Sequence, residues 1–144
     1  MAGDARDEHG AGHAHGDLRH VAEGVEPAVY AHRTRLSFDP TAPSAQLLND
    51  VTRSLRALQR RLSADGCSLV GHIKGSLDGG EQGHAAFSVT TLGDEPRWTG
   101  TLSGPVSALD ITLNVIVFGI TDAAVRDAVL ACRPASLTAA TAWP

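Results

Sequence analysis

Four of the chain's seven histidines, His9, His13, His15 and His20, fall in the stretch DEHGAGHAHGDLRH near its beginning. Neutral imidazole is the commonest nitrogen donor to zinc, nickel and copper, so a segment this rich in it can gather several rings around one ion. His13 and His15 form a His-x-His pair, and His9 precedes His13 by one helical-length step of four. These are chelating spacings that fix no coordination geometry by themselves. The chemistry they imply is capture of a divalent metal, nickel or zinc, with these four residues as ligands. The competing reading is a solvated tail whose histidines have no task.

Strand alternation supplies a second candidate. Side chains two apart along a strand share a face, and the runs 67–77, 84–92, 97–102 and 107–120 place Leu69, Ile73, Phe87, Val89, Trp98, Leu102, Ile111, Leu113, Val115 and Val117 on one side of a sheet. The other side then carries His72, Lys74, Ser88, Thr90, Thr99, Thr101, Thr112 and Asn114, joined by Arg33 and Arg35 if the first strand belongs to the same sheet. Lys74 is the only lysine among twelve basic residues, and lysine is the compact, more readily pKa-shifted cation. His72 and Lys74 lie about 7 Å apart, two strand rises. They suit an anionic ligand or acid–base work, although no nucleophile–base pair, carboxylate pair or phosphate loop accompanies them. Ile116 and Phe118, at one end of this face, favour instead a surface that pairs with a partner protein or a second copy, and predict a homodimer. A hydrated outer surface is the third reading.

The elements that must position these residues can be read along the chain. Apart from Met1, residues 1–24 contain no apolar side chain larger than alanine before Leu18, so little there offsets the entropy of ordering, and this leader is expected to be disordered. Tyr30, His32, Thr34, Leu36 and Phe38 alternate with Ala31, Arg33, Arg35 and Ser37 as a half-buried strand, which Pro40 and Pro43 should end. Ser44 is placed to cap a helix in which Leu47, Leu48, Val51, Leu55, Leu58 and Leu62 recur at helical spacing up to Asp65-Gly66. Arg53, Arg56 and Arg60 on its other side either grip phosphates or form a solvated face. The run Asp110 to Ile120 is apolar on both alternations toward its end and reads as a central strand covered on both sides, and Thr121 should cap a second helix ending before Pro134. The expected fold is an α+β two-layer sandwich: a mainly antiparallel sheet of about five strands with two helices on one face. Its expected organisation is a leader (1–24), a single domain (25–135) and a C-terminal tail (136–144).

Composition narrows the function classes. The net charge of −4 disfavours a general nucleic-acid binder, and an RNA-stacking sheet would need aromatics over several strands. The longest apolar stretch falls far short of the ~20 residues that span a bilayer, and the N-terminus lacks the apolar core of a secretory signal. A cytoplasmic protein is expected. Cys67 and Cys132 belong to no Cys-x-x-Cys pair, so they read as small buried hydrophobes.

The acidic, histidine-rich stretch 8–20 resembles the nickel-storing tails of accessory proteins of hydrogenase and urease maturation. The maturation GTPases carrying such tails also have a P-loop, Gly-x-x-x-x-Gly-Lys-Ser/Thr, and no such string occurs here. The resemblance therefore implies a non-GTPase accessory or structural partner, which binds nickel or zinc through the leader and docks on another protein. Since the leader offers little apolar area to bury, deleting residues 1–24 is expected to leave the thermal midpoint nearly unchanged. A calorimetric comparison with the full chain checks this.

Overall fold

The computed structural model describes residues 26–138. His9, His13, His15, His20 and the expected disorder of the leader lie outside the described residues, as does the C-terminal tail beyond residue 138. The elements are β1 (Ala28–Pro43), α1 (Ser44–Ala64), β2 (Leu69–Asp78), a single 3-10 turn (Gly80–Gln82), β3 (Gly83–Val89), β4 (Arg97–Leu102), β5 (Pro105–Phe118), α2 (Asp122–Ala131) and the short α3 (Ala135–Thr138). The sheet order is β1-β5-β2-β3-β4, with every neighbouring pair antiparallel. The last strand therefore returns to the centre, between β1 and β2. The fold is an α+β sandwich with its two main helices over one side of a five-stranded open sheet.

Helix α1 forms where leucine and valine recur at helical spacing, and it buries Leu47, Val51, Leu55, Leu58 and Leu62 against the sheet. Its C-terminus closes as a Schellman motif: the Cys67 N–H donates to the Leu62 carbonyl (2.9 Å) and the Gly66 N–H to the Ser63 carbonyl (3.2 Å). Gly66 supplies the positive φ, +100°, that this turn requires. At the other end Ser44 is not the cap. Pro43 occupies the capping position, and the Ser44 hydroxyl donates to the Gly104 carbonyl, tying the helix start to the β4–β5 turn. Thr121 does cap α2, its hydroxyl accepting from the Ala124 N–H at 3.1 Å.

Three expectations change with the tertiary structure. Pro40 does not end β1. The register with β5 shifts between Ser37 and Ala42 and the strand continues to Pro43, which an edge strand tolerates because prolines there need not donate to a ladder. Leu69 does not face the helices. The β2–β5 register shifts between Val70 and His72, so Val70 enters the core and Leu69 is left 50% exposed. A bulge of this kind inverts the alternation on one side of it, and it also brings Gly71 to the open face, against the Ile116 side chain. Finally, β5 is central but covered on one side, by its inward residues Val106, Leu109, Ile111, Leu113, Val115 and Val117 packing under the helices.

The core continues past α2: Leu137 on α3 is 1% exposed within it. It packs near Leu55, Leu58 and Val129 around a small apolar cavity of about 50 Å³. Leu137 is thus unavailable to cover Ile116 and Phe118 on the opposite side of the sheet. Gly75 faces the same core, where a Cβ would collide with the Thr112 carbonyl and the Phe87 ring.

Leu55→Ala is expected to cost about 2–5 kcal/mol in denaturant unfolding, because its side chain is buried under the sheet. Arg53→Ala, on the exposed side of α1, should stay within about 0.5 kcal/mol. Equal costs would mean that the helix presents its other side to the core.

Candidate functional site

Opposite residues of antiparallel strands share a face, so the register orders the open side of the sheet into rows. At one end stand Leu69 and Phe118, then His72, Ile116 and Val29. Next come Arg97, Ser88, Lys74, Asn114 and Ala31, followed by Thr99, Ala86, Ser76, Thr112 and Arg33. The row beyond holds Thr101, His84, Asp78, Asp110 and Arg35. The face therefore grades from apolar to polar along β5.

All six face residues expected from the sequence, His72, Lys74, Arg33, Arg35, Asn114 and Phe118, occupy this open side, and β1 joins the same sheet. They do not converge. His72, Lys74, Asn114 and Phe118 cluster at the apolar end, whereas Arg35 lies opposite Asp110, four residues from Asn114 along β5. Four strand rises are roughly 13 Å. Arg35 meets the Asp110 carboxylate at 3.7 Å in an exposed pair, and Ser76 and Thr112 share a hydroxyl hydrogen bond of 2.8 Å. The polar end is thus partly self-satisfied. At the apolar end, Val29 (47% exposed) and Leu69 (50% exposed) flank the half-buried Ile116 and Phe118.

Chemically, His72 and Lys74 on an open sheet surface supply two polar groups without the nucleophile, orienting partner and enclosed site that catalysis combines. The thiol of Cys132 does not supply the nucleophile. It sits on the helix side, and burial pushes its pKa above the usual range, outweighing the opposite pull of Arg61 and Arg60. Tyr30 is likewise pushed up by burial, against Arg126 and Arg133. Among the described residues, no group of three or more His, Cys, Asp or Glu side chains is placed to hold a metal ion. No described helix is long and apolar enough to cross a membrane.

Arg53, Arg56 and Arg60 of α1 are all exposed, and Arg56 in addition meets a carboxylate. Arg56 holds the Glu95 carboxylate in a two-pronged pair, Nη2 to Oε2 at 2.7 Å and Nε to Oε1 at 2.9 Å, which lowers the Glu95 pKa through the hydrogen bonds first. Beside it the buried Gln59 donates to the Asp94 carbonyl (2.9 Å) and accepts from the Gly93 N–H (2.7 Å). Trp98 Nε1 donates to the Thr52 hydroxyl at 3.0 Å. This side of α1 clamps the β3–β4 loop. Glu95, thirty-nine residues from Arg56, carries no sequence signal for that role beyond its charge.

No protein-family model matches the chain, and no curated protein is similar to it. Among solved structures, the chain is similar to zinc-bound YjiA GTPase from E. coli, with 14% identity over 74% of this chain and a TM-score of 0.40. It is similar also to a triple mutant of zinc-bound YjiA GTPase, at 14% identity over 74% of this chain and a TM-score of 0.39. The chain spans 30% of the length of either structure.

Cys132 provides a check on the assignment of chemistry to faces. Its raised pKa predicts alkylation by iodoacetamide at pH 8 slower than that of an unstructured cysteine peptide, since the thiolate is the reacting form. Peptide mapping by mass spectrometry reads the rate. Faster labelling than the peptide would mark an activated nucleophile and reopen catalysis on the helix side.

Proposed function

We propose that the protein is a non-catalytic accessory protein that binds a divalent cation, nickel or zinc, through His9, His13, His15 and His20 and presents it to a partner protein beside the open sheet face. The observation that carries this reading is where the leader meets the domain. It enters at the start of β1, where Ala28 pairs with Val117, and that end of the sheet also bears His72, Ile116 and Phe118. An ion captured by the leader is therefore tethered next to the most apolar part of the exposed sheet.

Donor chemistry supports nickel or zinc over magnesium or calcium, because imidazole nitrogen suits the former and hard oxygen ligands the latter. Binding needs the neutral ring, so affinity is expected to fall as the pH drops below about 6.5. Calorimetric titration with nickel and with zinc should show binding by the full chain that is lost when His9, His13, His15 and His20 are all changed to alanine. Equal binding by both proteins would refute the leader as the metal site.

A further inference from the structure

The outermost strand of a sheet keeps one row of backbone N–H and C=O groups outside any ladder. Here β1 and β4 are the two edges. β4 is six residues long and turns at Gly100, φ +71°, so it offers a short and irregular edge. β1 is sixteen residues long and pairs regularly with β5 from Ala28 to Ser37. The Val29 N–H donates to the Asp122 carboxylate at 2.8 Å and so points away from β5. Backbone groups along an antiparallel strand alternate in direction, which turns the N–H and C=O of Ala31, Arg33, Arg35 and Ser37 to the same outer side. None of the described elements pairs with them there, and all four residues are exposed.

This window has defined ends. Asp122 occupies the first outward N–H, at Val29. Beyond Ser37 the register shifts, and Pro40 and Pro43 carry no N–H. Between these two stops the edge carries charge, and charge excludes some partners while selecting others. In any antiparallel register in which a second copy used three or more of the four residues, Arg33 or Arg35 would stand opposite itself or the other. Like charges directly opposite destabilise a strand pair, whereas opposite charges stabilise it. The edge is thus set against its own copy and toward carboxylates. Arg35 is partly met by Asp110 at 3.7 Å, but the row that Arg33 ends, through Thr112, Ser76, Ala86 and Thr99, holds no carboxylate. On the helix side the same strand presents Tyr30 and Phe38, partly buried against the core, and apolar side chains of an added strand would extend that layer.

We infer that the β1 edge from Ala31 to Ser37 takes up an extended segment of a partner protein as a sixth strand, whose side chains alternate between carboxylates facing Arg33 and Arg35 and apolar groups facing the helix layer. Main-chain hydrogen bonds supply the affinity in such strand addition, and the alternate side chains the specificity. The inference stands apart from the metal chemistry of the leader, and it seats the partner beside the open face instead of over it.

The probe is the peptide Glu-Val-Glu-Val-Glu-Val-Glu, blocked at both ends and titrated into the isotope-labelled full-length chain, with NMR, calorimetry and light scattering on the same samples. The backbone amide signals of Ala31, Arg33, Arg35 and Ser37 are expected to shift and their hydrogen exchange to slow, while the β4 amides stay unmoved. N-methylation of the two central glutamates removes N–H groups that face β1 and keeps the charge, so it is expected to weaken binding by about tenfold or more. Arg33→Glu with Arg35→Glu is expected to weaken binding of the original peptide by about tenfold and to admit its lysine counterpart. Equal binding by the N-methylated peptide, shifts centred on Lys74 and Arg97, or no binding at millimolar peptide would each overturn the proposal. Edge amides already slow to exchange in the peptide-free chain would overturn it too, a dimeric mass then assigning the edge to a second copy and a monomeric mass to another segment of the same chain.

Discussion

The structure depends on burying one side of a single strand. Val106, Leu109, Ile111, Leu113, Val115 and Val117 of β5 all enter the core, and a side chain of this kind contributes about 1.5–3 kcal/mol when fully removed from water. Because β5 pairs with β1 on one edge and β2 on the other, its placement sets the register of both. The long amphipathic α1 can then lie across the inward residues of several strands at once. With two helices committed to that side, none of the described elements forms a layer over the other side of the sheet.

Polar contacts then fix what the apolar core leaves loose. The Gln59 amide, the Arg56–Glu95 pair and the Trp98–Thr52 hydrogen bond hold the β3–β4 loop to the outer flank of α1. Gln59 is 5% exposed and satisfied on both its donor and its acceptor, which is the condition under which a buried amide does not destabilise its surroundings. These contacts account for much of the polarity of α1 as architecture. At the first strand the Asp122 carboxylate accepts from the Val29 N–H at 2.8 Å, so the start of α2 anchors the edge of the sheet where the leader joins it.

The open face of the sheet joins three things in one place: half-exposed aliphatic and aromatic side chains, a fixed imidazole, and the entry of a histidine-rich, acidic segment. The bulge at Val70–His72 contributes directly. It turns Leu69 outward and sets Gly71 where the Ile116 side chain can lie against β2, enlarging the apolar end of the face. Bulges often sit beside functional surfaces because they re-aim side chains locally.

The amino-acid sequence determined the elements whose signal is local. Period-2 alternation marked β1 and the face shared by His72, Lys74 and Asn114, helical spacing marked the buried stripe of α1, and Thr121 announced its own cap, because each depends on residues within a turn or two of one another. Composition likewise marked the leader histidines, whose structure lies outside the described residues. The tertiary structure decided what depends on partners distant in the chain: that β5 returns between β1 and β2, that Glu95 pairs with Arg56, that Ser44 ties to Gly104, and that one extra residue in β2 reverses Leu69. Alternation cannot reveal a bulge, since the inversion exists only relative to the neighbouring strand's ladder. Nor can it place the leader's entry beside His72, a proximity created by two strand pairings that join residues about ninety and forty positions apart.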